Sequence, residues 1–391
     1  MTSLRRVLIV QPSLQPPGGG QAVAAWMVEA LKDRYDVTVA AWQAADFAAV
    51  DRCYGTSLQG SRVAIQCVPT ALRRLLKPIP LRLALLRASL LARHARRLAQ
   101  THHVLVSADN ELALGPRAIQ YVHYPRQLRP RPLADIRWYH RPKALLDLYY
   151  VVCDRLAHSR EGFATNTLLV NSTWTAERVA RMHGVPVRIV YPPVPGDFPD
   201  VPWADRELGF LCIGRFAEEK ELERVVEILA EVRRSVPDVH LHLVGGRDSR
   251  RYYRRIARLA RIHRTWIRLH ENLSRPELVQ LVASQRYGIH AMREEHFGIA
   301  PAEMVRAGCI VFVPDGGGQV EIVGSEPPLR YRTNDDAVAK IVNVLTDPGE
   351  QTRLRAHLAM RRELFSVERF VQTIRSVVDA VDRGVGQERE T

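Results

Sequence analysis

The sequence predicts an α/β protein built on two doubly wound parallel sheets. Three observations carry that expectation. Short apolar runs of strand length alternate with longer runs of helical periodicity along most of the chain. At 391 residues the chain is too long for one ordinary core, so two domains are the default. A Pro- and Asp-rich stretch, residues 194–205, interrupts the series near its middle, where a linker belongs.

The elements follow in order. Val7-Leu8-Ile9-Val10 reads as a buried strand, then comes a Pro- and Gly-rich loop over 11–20, a helix over 21–32 and a strand over 37–41. That is an opening βαβ unit. Further strands are expected at 62–68, 104–107, 118–122 and 167–171, and the strand at 187–191 ends on Pro192-Pro193. After the linker a second series begins. Strands are expected at 210–213, 240–244, 267–270 and 287–291, with helices at 222–235, 250–263 and 275–284 between them. Pro301 suits the first position of the next helix, because its missing N–H has no intrahelical partner there. Glu303 then falls near the third position, and Gly308 ends the helix before a buried strand over 309–313. A long last helix, about 367–385, is expected to pack back onto the first domain. The domains are thus read as 1–193 with the C-terminal segment 367–391, and 194–366. Residues 387–391 form a polar tail.

The formal charge of +14 implies an anionic partner. Between Asp51 and Asp109 there is no acidic residue, whereas residues 71–100 hold eight Arg or Lys among many leucines. This segment reads as an interfacial surface, broken at Pro78 and Pro80, whose leucines enter an anionic membrane boundary. A nucleic-acid-binding protein would interleave aromatics with the basic residues, so no nucleic acid is expected as partner. The run 7–10 is far too short to span a bilayer, and no signal-peptide cleavage pattern follows it. Cys53, Cys67, Cys153, Cys212 and Cys309 have no paired spacing, which suits reduced thiols and a cytoplasmic setting. No zinc or D-x-D pattern is visible, so no catalytic metal and no cofactor are expected.

The chemistry is expected at strand ends. Glu295 lies in a loop with Phe297 and Gly298, and Glu303 in the opening of a helix. Helix N–H groups and dipole suit an anion, and the carboxylates suit hydroxyls, so the pair fits a sugar–diphosphate. Gly214-Arg215-Phe216-Ala217-Glu218-Glu219-Lys220 follows a strand and places two cations where a ligand binds in such sheets. Gly18-Gly19-Gly20 lies between the first strand and helix, and His123 follows the strand ending at Val122. The glycine loop is neither a P-loop nor GxGxxG.

The E-x7-E spacing of Glu295 and Glu303 around Phe297-Gly298, the G-R-x-x-x-x-K run, Gly316-Gly317-Gly318 with Glu321, and the two-domain series together resemble the GT4 family of retaining glycosyltransferases. His123-Tyr124-Pro125, Val170 to Thr175 and Val190 to Val194 are similar to α1,2-mannosyltransferases that extend lipid-linked oligosaccharides. The resemblance implies the GT-B architecture, with two Rossmann-like domains facing a shared cleft. It implies that Arg215 and Lys220 clamp the donor diphosphate and that Glu303 holds the ribose. Glu295 and the backbone of Phe297, Gly298 and Ile299 meet the transferred sugar. Asn272 and Leu273 meet the base, Gly18, Gly19 and Gly20 the phosphates or acceptor, and His123 the sugar near the reacting carbon. The donor is then a GDP- or UDP-linked hexose, mannose favoured, and the acceptor is lipid-linked. Attack is metal-independent and on the same face as the leaving group. A soluble sugar or metabolite as acceptor keeps the same fold; a nucleotide-sugar epimerase would need no acceptor.

Overall fold

The computed structural model describes residues 4–76, 83–125, 143–157 and 163–389. The chain divides into one unit of Met1–Pro193 with Glu368–Thr391 and a second of Val194–Val367.

The first unit runs β1 (Arg6–Val10), α1 (Gly19–Leu31), β2 (Asp36–Ala41), α2 (Phe47–Tyr54), β3 (Ala64–Cys67), α3 (Thr70–Leu76), α4 (Ala84–Ala99), β4 (Val104–Ser107), β5 (Ile119–Val122), α5 (Lys143–Ala157), β6 (Thr167–Val170), α6 (Thr173–His183) and β7 (Val187–Ile189). Its parallel sheet has the order β3-β2-β1-β4-β5-β6-β7. Val7 of β1 pairs with Val37 on one side and Val104 on the other, so the strand order reverses at β1. The apolar residues of β1, fully buried from Val7 to Val10, face core on both sides, as a central parallel strand must.

The second unit runs β8 (Glu207–Ile213), α7 (Leu222–Ser235), β9 (His240–Gly245), α8 (Arg250–Ile262), β10 (Ile267–Glu271), α9 (Arg275–Ser284), β11 (Gln285–Ile289), α10 (Ile299–Arg306), β12 (Ile310–Pro314), α11 (Val320–Val323), β13 (Arg330–Tyr331), α12 (Asn334–Thr346) and α13 (Pro348–Arg361). The sheet order β10-β9-β8-β11-β12-β13 repeats the pattern of the first, with the reversal at β8. The last helix, α14 (Val367–Arg389), places Phe370, Ile374, Val377 and Val378 in the core of the first unit. The architecture is therefore the α/β pair of Rossmann-like sheets that the alternation of the sequence implies.

Several boundaries differ from the sequence reading, among them β8, which begins three residues early at Glu207. β7 stops at Ile189, two residues earlier than expected. β11 begins at Gln285, directly after α9, so helix meets strand without a loop. α10 begins at Ile299 rather than Pro301, because Gly298 adopts φ +101° and turns the chain into the helix early. Pro301 becomes its third residue, still within the turn whose N–H groups lack intrahelical partners. Glu303 moves to the second turn.

The basic segment also differs in detail. Lys77, Arg82 and the expected break at Pro78 and Pro80 lie outside the described residues. On α4, Ala88, Leu91, Ala92 and Ala95 are buried against the sheet, while Arg87, Arg93 and Arg97 are exposed. The buried face of α4 is thus mainly alanine with Leu91, because a helix laid on a sheet buries its apolar face, while Leu85, Leu86, Leu90 and Leu98 are half-buried. Exposed apolar groups lie elsewhere: Leu75 on α3 is 69% exposed, and α5 presents Leu145, Leu148, Val151 and Val152. α5 packs on α4, where the Leu86 N–H donates to the Tyr149 hydroxyl at 3.0 Å.

Candidate active site

In the second unit the chain leaves β8 into a short 3-10 turn, Glu218–Lys220, and enters α7 through Glu221 at φ +47°. This turn aims Lys220 back across Gly214, with the lysine stem in van der Waals reach of that position. The Nζ of Lys220 lies 2.5 Å from Oε2 of Glu295. His290, just past β11 and buried, puts Nε2 3.1 Å from the same oxygen. A carboxylate accepts, so Nε2 carries the proton and Nδ1 of His290 is left buried with no partner. Burial pushes the Glu295 carboxyl up, but the His290 hydrogen bond and the Lys220 charge outweigh it and hold it well below the usual range. Burial pushes His290 down, so the ring is neutral. The result is an ammonium–carboxylate pair steadied by a neutral imidazole. Its ammonium keeps donors for an anion, and its carboxylate keeps acceptor capacity for hydroxyls.

The glycine loop after β12 fixes Glu295 from its backbone. Gly318 N–H donates to the Glu295 carbonyl at 2.7 Å. A side chain on Gly317 would stand 2.5 Å from that carbonyl oxygen, and Gly317 has φ +73°. Only glycine allows this approach. The Gln319 amide, fully buried, donates to the carbonyls of Met292 and Gly316 and completes the loop.

Gly298 opens α10 just beyond. The N–H groups of Ile299 and Ala300 have no partner within the helix, Pro301 has none to offer, and Ala302 already donates to the Gly298 carbonyl. Two donors and the dipole thus remain for an anion. The Phe297 ring is buried against Phe365, 5.6 Å between centroids, so only its backbone can face a ligand. Glu303 accepts from Arg275 at 2.5 Å, and Arg275 also grips Asp197 through two nitrogens at 2.6 and 3.1 Å. Burial pushes Glu303 up, more than Arg275 pulls it down. The Ser274–Glu277 capping box starts α9 and sets the direction of Arg275.

Arg215 is placed differently from Lys220. It is 58% exposed and pairs with Glu219 at 3.1 Å and Asp248 at 3.0 Å. Asn272, at φ +53°, donates its N–H to the Gly245 carbonyl after β10, and Leu273 lines a shallow groove with His270, Pro276 and Leu281.

In the first unit Gly18, Gly19 and Gly20 lead into α1, which starts at Gly19. His123 lies over this start: its Nε2 stands 3.6 Å from where a side chain on Gly20 would begin. Nε2 donates to the Ala108 carbonyl at 3.0 Å. The His123 backbone is held at both ends, its N–H by the Asn110 side chain at 2.8 Å and its carbonyl by Asn171 at 3.0 Å.

The structure thus joins Lys220 to Glu295 and His123 to the glycine turn, while Arg215 turns to surface carboxylates. His290, Arg275, Asp197 and Asn110 were not singled out from sequence. His290 and Arg275 both lie just beyond the carboxyl end of a strand, where ligands bind in such sheets, and that position was the available signal.

Comparison with known proteins follows from this geometry. Residues 196–359 match the family described as glycosyl transferases group 1. The chain is 27% identical over 263 residues to the Neurospora crassa GDP-Man:Man(3)GlcNAc(2)-PP-Dol alpha-1,2-mannosyltransferase, covering 58% of this chain and 47% of that protein. The Homo sapiens enzyme of the same name is 26% identical over 262 residues, covering 61% and 52%. The chain therefore spans about half the length of the curated relatives it matches. Among solved structures, Anabaena HepE in complex with UDP and glucose superposes with a TM-score of 0.67 at 15% identity, covering 95% of this chain and 99% of that one. The sheets, the strand orders and this likeness make the fold GT-B, and the match to the glycosyl transferases group 1 family falls within the second unit.

Proposed function

We propose that the chain is a retaining hexosyltransferase that moves mannose from a nucleotide-diphosphate sugar to a lipid-linked or other amphiphilic acceptor. The observation that carries this reading is the Lys220–Glu295–His290 cluster beside the open start of α10. Lys220, with the N–H groups of Ile299 and Ala300, binds the diphosphate and stabilises charge as it leaves. Arg215 supplements them when a ligand draws it from its surface partners. Glu295 holds the transferred sugar. Glu303, oriented by Arg275, accepts from the ribose diol, and Asn272 with Leu273 borders the base. Phe297 and Gly298 carry the backbone past the sugar. In the first unit His123 and Gly18 to Gly20 serve the acceptor and the reacting carbon. The fixed cations take the role a divalent ion plays elsewhere, and the departing diphosphate accepts the acceptor proton. The names of the two similar mannosyltransferases support a GDP-linked donor and an oligosaccharide on a diphosphate lipid.

The acceptor reading has its own support. No helix among the described residues is long and apolar enough to cross a membrane. The exposed Leu75 of α3 sits in a stretch free of acid from 52 to 108, and α5 adds exposed Leu145, Leu148, Val151 and Val152. We read them as contacts with an anionic lipid surface, giving peripheral attachment at the inner membrane face. Thermal shift with GDP-mannose, UDP-glucose, GDP and UDP tests the donor, and transfer to a lipid-diphosphate-linked oligosaccharide tests the acceptor. GDP-mannose should raise the midpoint most, and the product should keep the donor's anomeric configuration in EDTA. An inverted product, or loss of activity restored by magnesium, contradicts the mechanism. Transfer to a free sugar alone favours the soluble acceptor.

A further inference from the structure

A second polar cluster lies at the opposite ends of the same strands. Glu207 opens β8 and His240 opens β9. The register pairs Gly209 with His240, Leu211 with His242, and Val244 with His270. Because side chains alternate along a strand, Glu207, His240, His242 and His270 all stand on one face of the sheet.

The contacts are close. Glu207 Oε2 and His240 Nε2 are 3.1 Å apart, and Gln285 Oε1 is also 3.1 Å from that nitrogen. One donor atom from each of Glu207, His240 and His242 lies within 4.8 Å of the other two. Gly209 makes room for them: a side chain there would stand 2.5 Å from His240 Nε2 and collide with Gln285. His242 is 2% exposed, its Nδ1 lies 2.9 Å from His270 Nε2, and its Nε2 is buried with no partner. An orphaned imidazole nitrogen in a core is costly unless something takes its lone pair.

We propose that Glu207, His240 and His242 form a binding site for a divalent transition-metal ion of the zinc class. Two imidazoles and a carboxylate suit such an ion, and three protein ligands leave a position for water. Ligands bonded at about 2.0–2.1 Å in tetrahedral array stand roughly 3.3 Å apart, close to the Glu207–His240 separation. His242 binds through Nε2, and its Nδ1–H donates to His270, which orients the ring from behind. Arg268, exposed beside His242 and His270, repels a cation, and the Glu207 charge offsets that repulsion. His240 moves its proton to Nδ1 to present Nε2. The ion ties together the first residues of the neighbouring strands β8 and β9. The donor site lies beyond the other ends of these strands, about 20 Å along β8, so the ion steadies the second unit and takes no part in transfer.

The test uses the full untagged chain, stripped with chelator, dialysed and titrated with zinc and then with cobalt. The expected result is one tightly bound equivalent, a higher thermal midpoint, and the visible absorption of four- or five-coordinate cobalt. Glu207→Gln, at an exposed side chain that folding does not need, and His240→Gln should each abolish stoichiometric binding. His270→Gln should weaken it about tenfold. A wild-type chain that takes up no zinc, or Glu207→Gln and His240→Gln variants that keep the full equivalent, would overturn the site.

Discussion

The contact between Lys220 and Glu295 puts an ammonium 2.5 Å from a carboxylate that is 75 residues away in sequence. The Lys220 charge helps hold Glu295 ionised, so removing either partner also disturbs its neighbour. Lys220→Ala should cost about 3 kcal/mol of transition-state stabilisation, whereas Arg215→Ala, exposed and paired to surface carboxylates, should cost less. Steady-state kinetics decides this, and equal losses would return Arg215 to the centre of the site. Glu303→Ala should weaken binding of free nucleotide diphosphate, while Glu295→Ala should spare that binding and depress turnover; calorimetry with nucleotide alone separates the two. The same carboxylates give opposite pH signatures. Glu295 is held below its ordinary value, so the unfolded state binds more protons and stability rises with pH until the ordinary glutamate value is passed. That contribution is lost as pH falls toward the folded value. Glu303 is raised, so above the ordinary value the folded state binds more protons and stability falls with pH. Midpoints across pH should therefore show a flatter acid limb in Glu295→Gln and a smaller decline on the alkaline side in Glu303→Gln.

At the scale of elements, the loop 316–318 and the start of α10 act as one support for Glu295. Gly317→Ala would drive a methyl group into the Glu295 carbonyl and force a left-handed backbone on alanine. It should destabilise the protein by about 1–3 kcal/mol and lower turnover, a double effect that urea unfolding and kinetics measure together. On the first unit, Leu145→Ser with Leu148→Ser should reduce binding to anionic vesicles and leave the midpoint unchanged. Arg73→Gln with Arg74→Gln should reduce it mainly at low salt. No binding by the wild-type chain at low salt would end the membrane reading. Much of this was legible in sequence. β4, α7 and α9 have the bounds that apolar period and flanking residues imply. Glu295, Glu303 and Lys220 stand out because their distance from a strand end is a local property. What could not be read is pairing across the fold. Arg275 meets Asp197 from 78 residues away, and His290 becomes notable only when buried against Glu295. The leucines of α4 could not be assigned from sequence, because a basic amphipathic helix looks alike on a membrane and on a sheet.

At the scale of the molecule, two similar sheets share one chain unequally. The first unit is completed by α14, whose Phe370 packs edge-on to Tyr121 at 6.4 Å and whose Asp379 accepts from the Tyr35 hydroxyl at 2.7 Å. Phe370→Ala should cost about 3–5 kcal/mol and lower the first transition if the units melt separately. Differential scanning calorimetry would show it, and a loss confined to the second unit would contradict the packing.

The return of α14 also sets an order of events during synthesis. Domains usually fold from the N-terminus as they emerge. Here residues 4–193 leave the ribosome with a core still open along the surface that Phe370, Ile374, Val377 and Val378 will cover. The second unit, contiguous from Val194 to Val367, can close while the first still waits. The half translated first is thus the half that matures last, and in the interval its exposed apolar groove is the natural client of a chaperone.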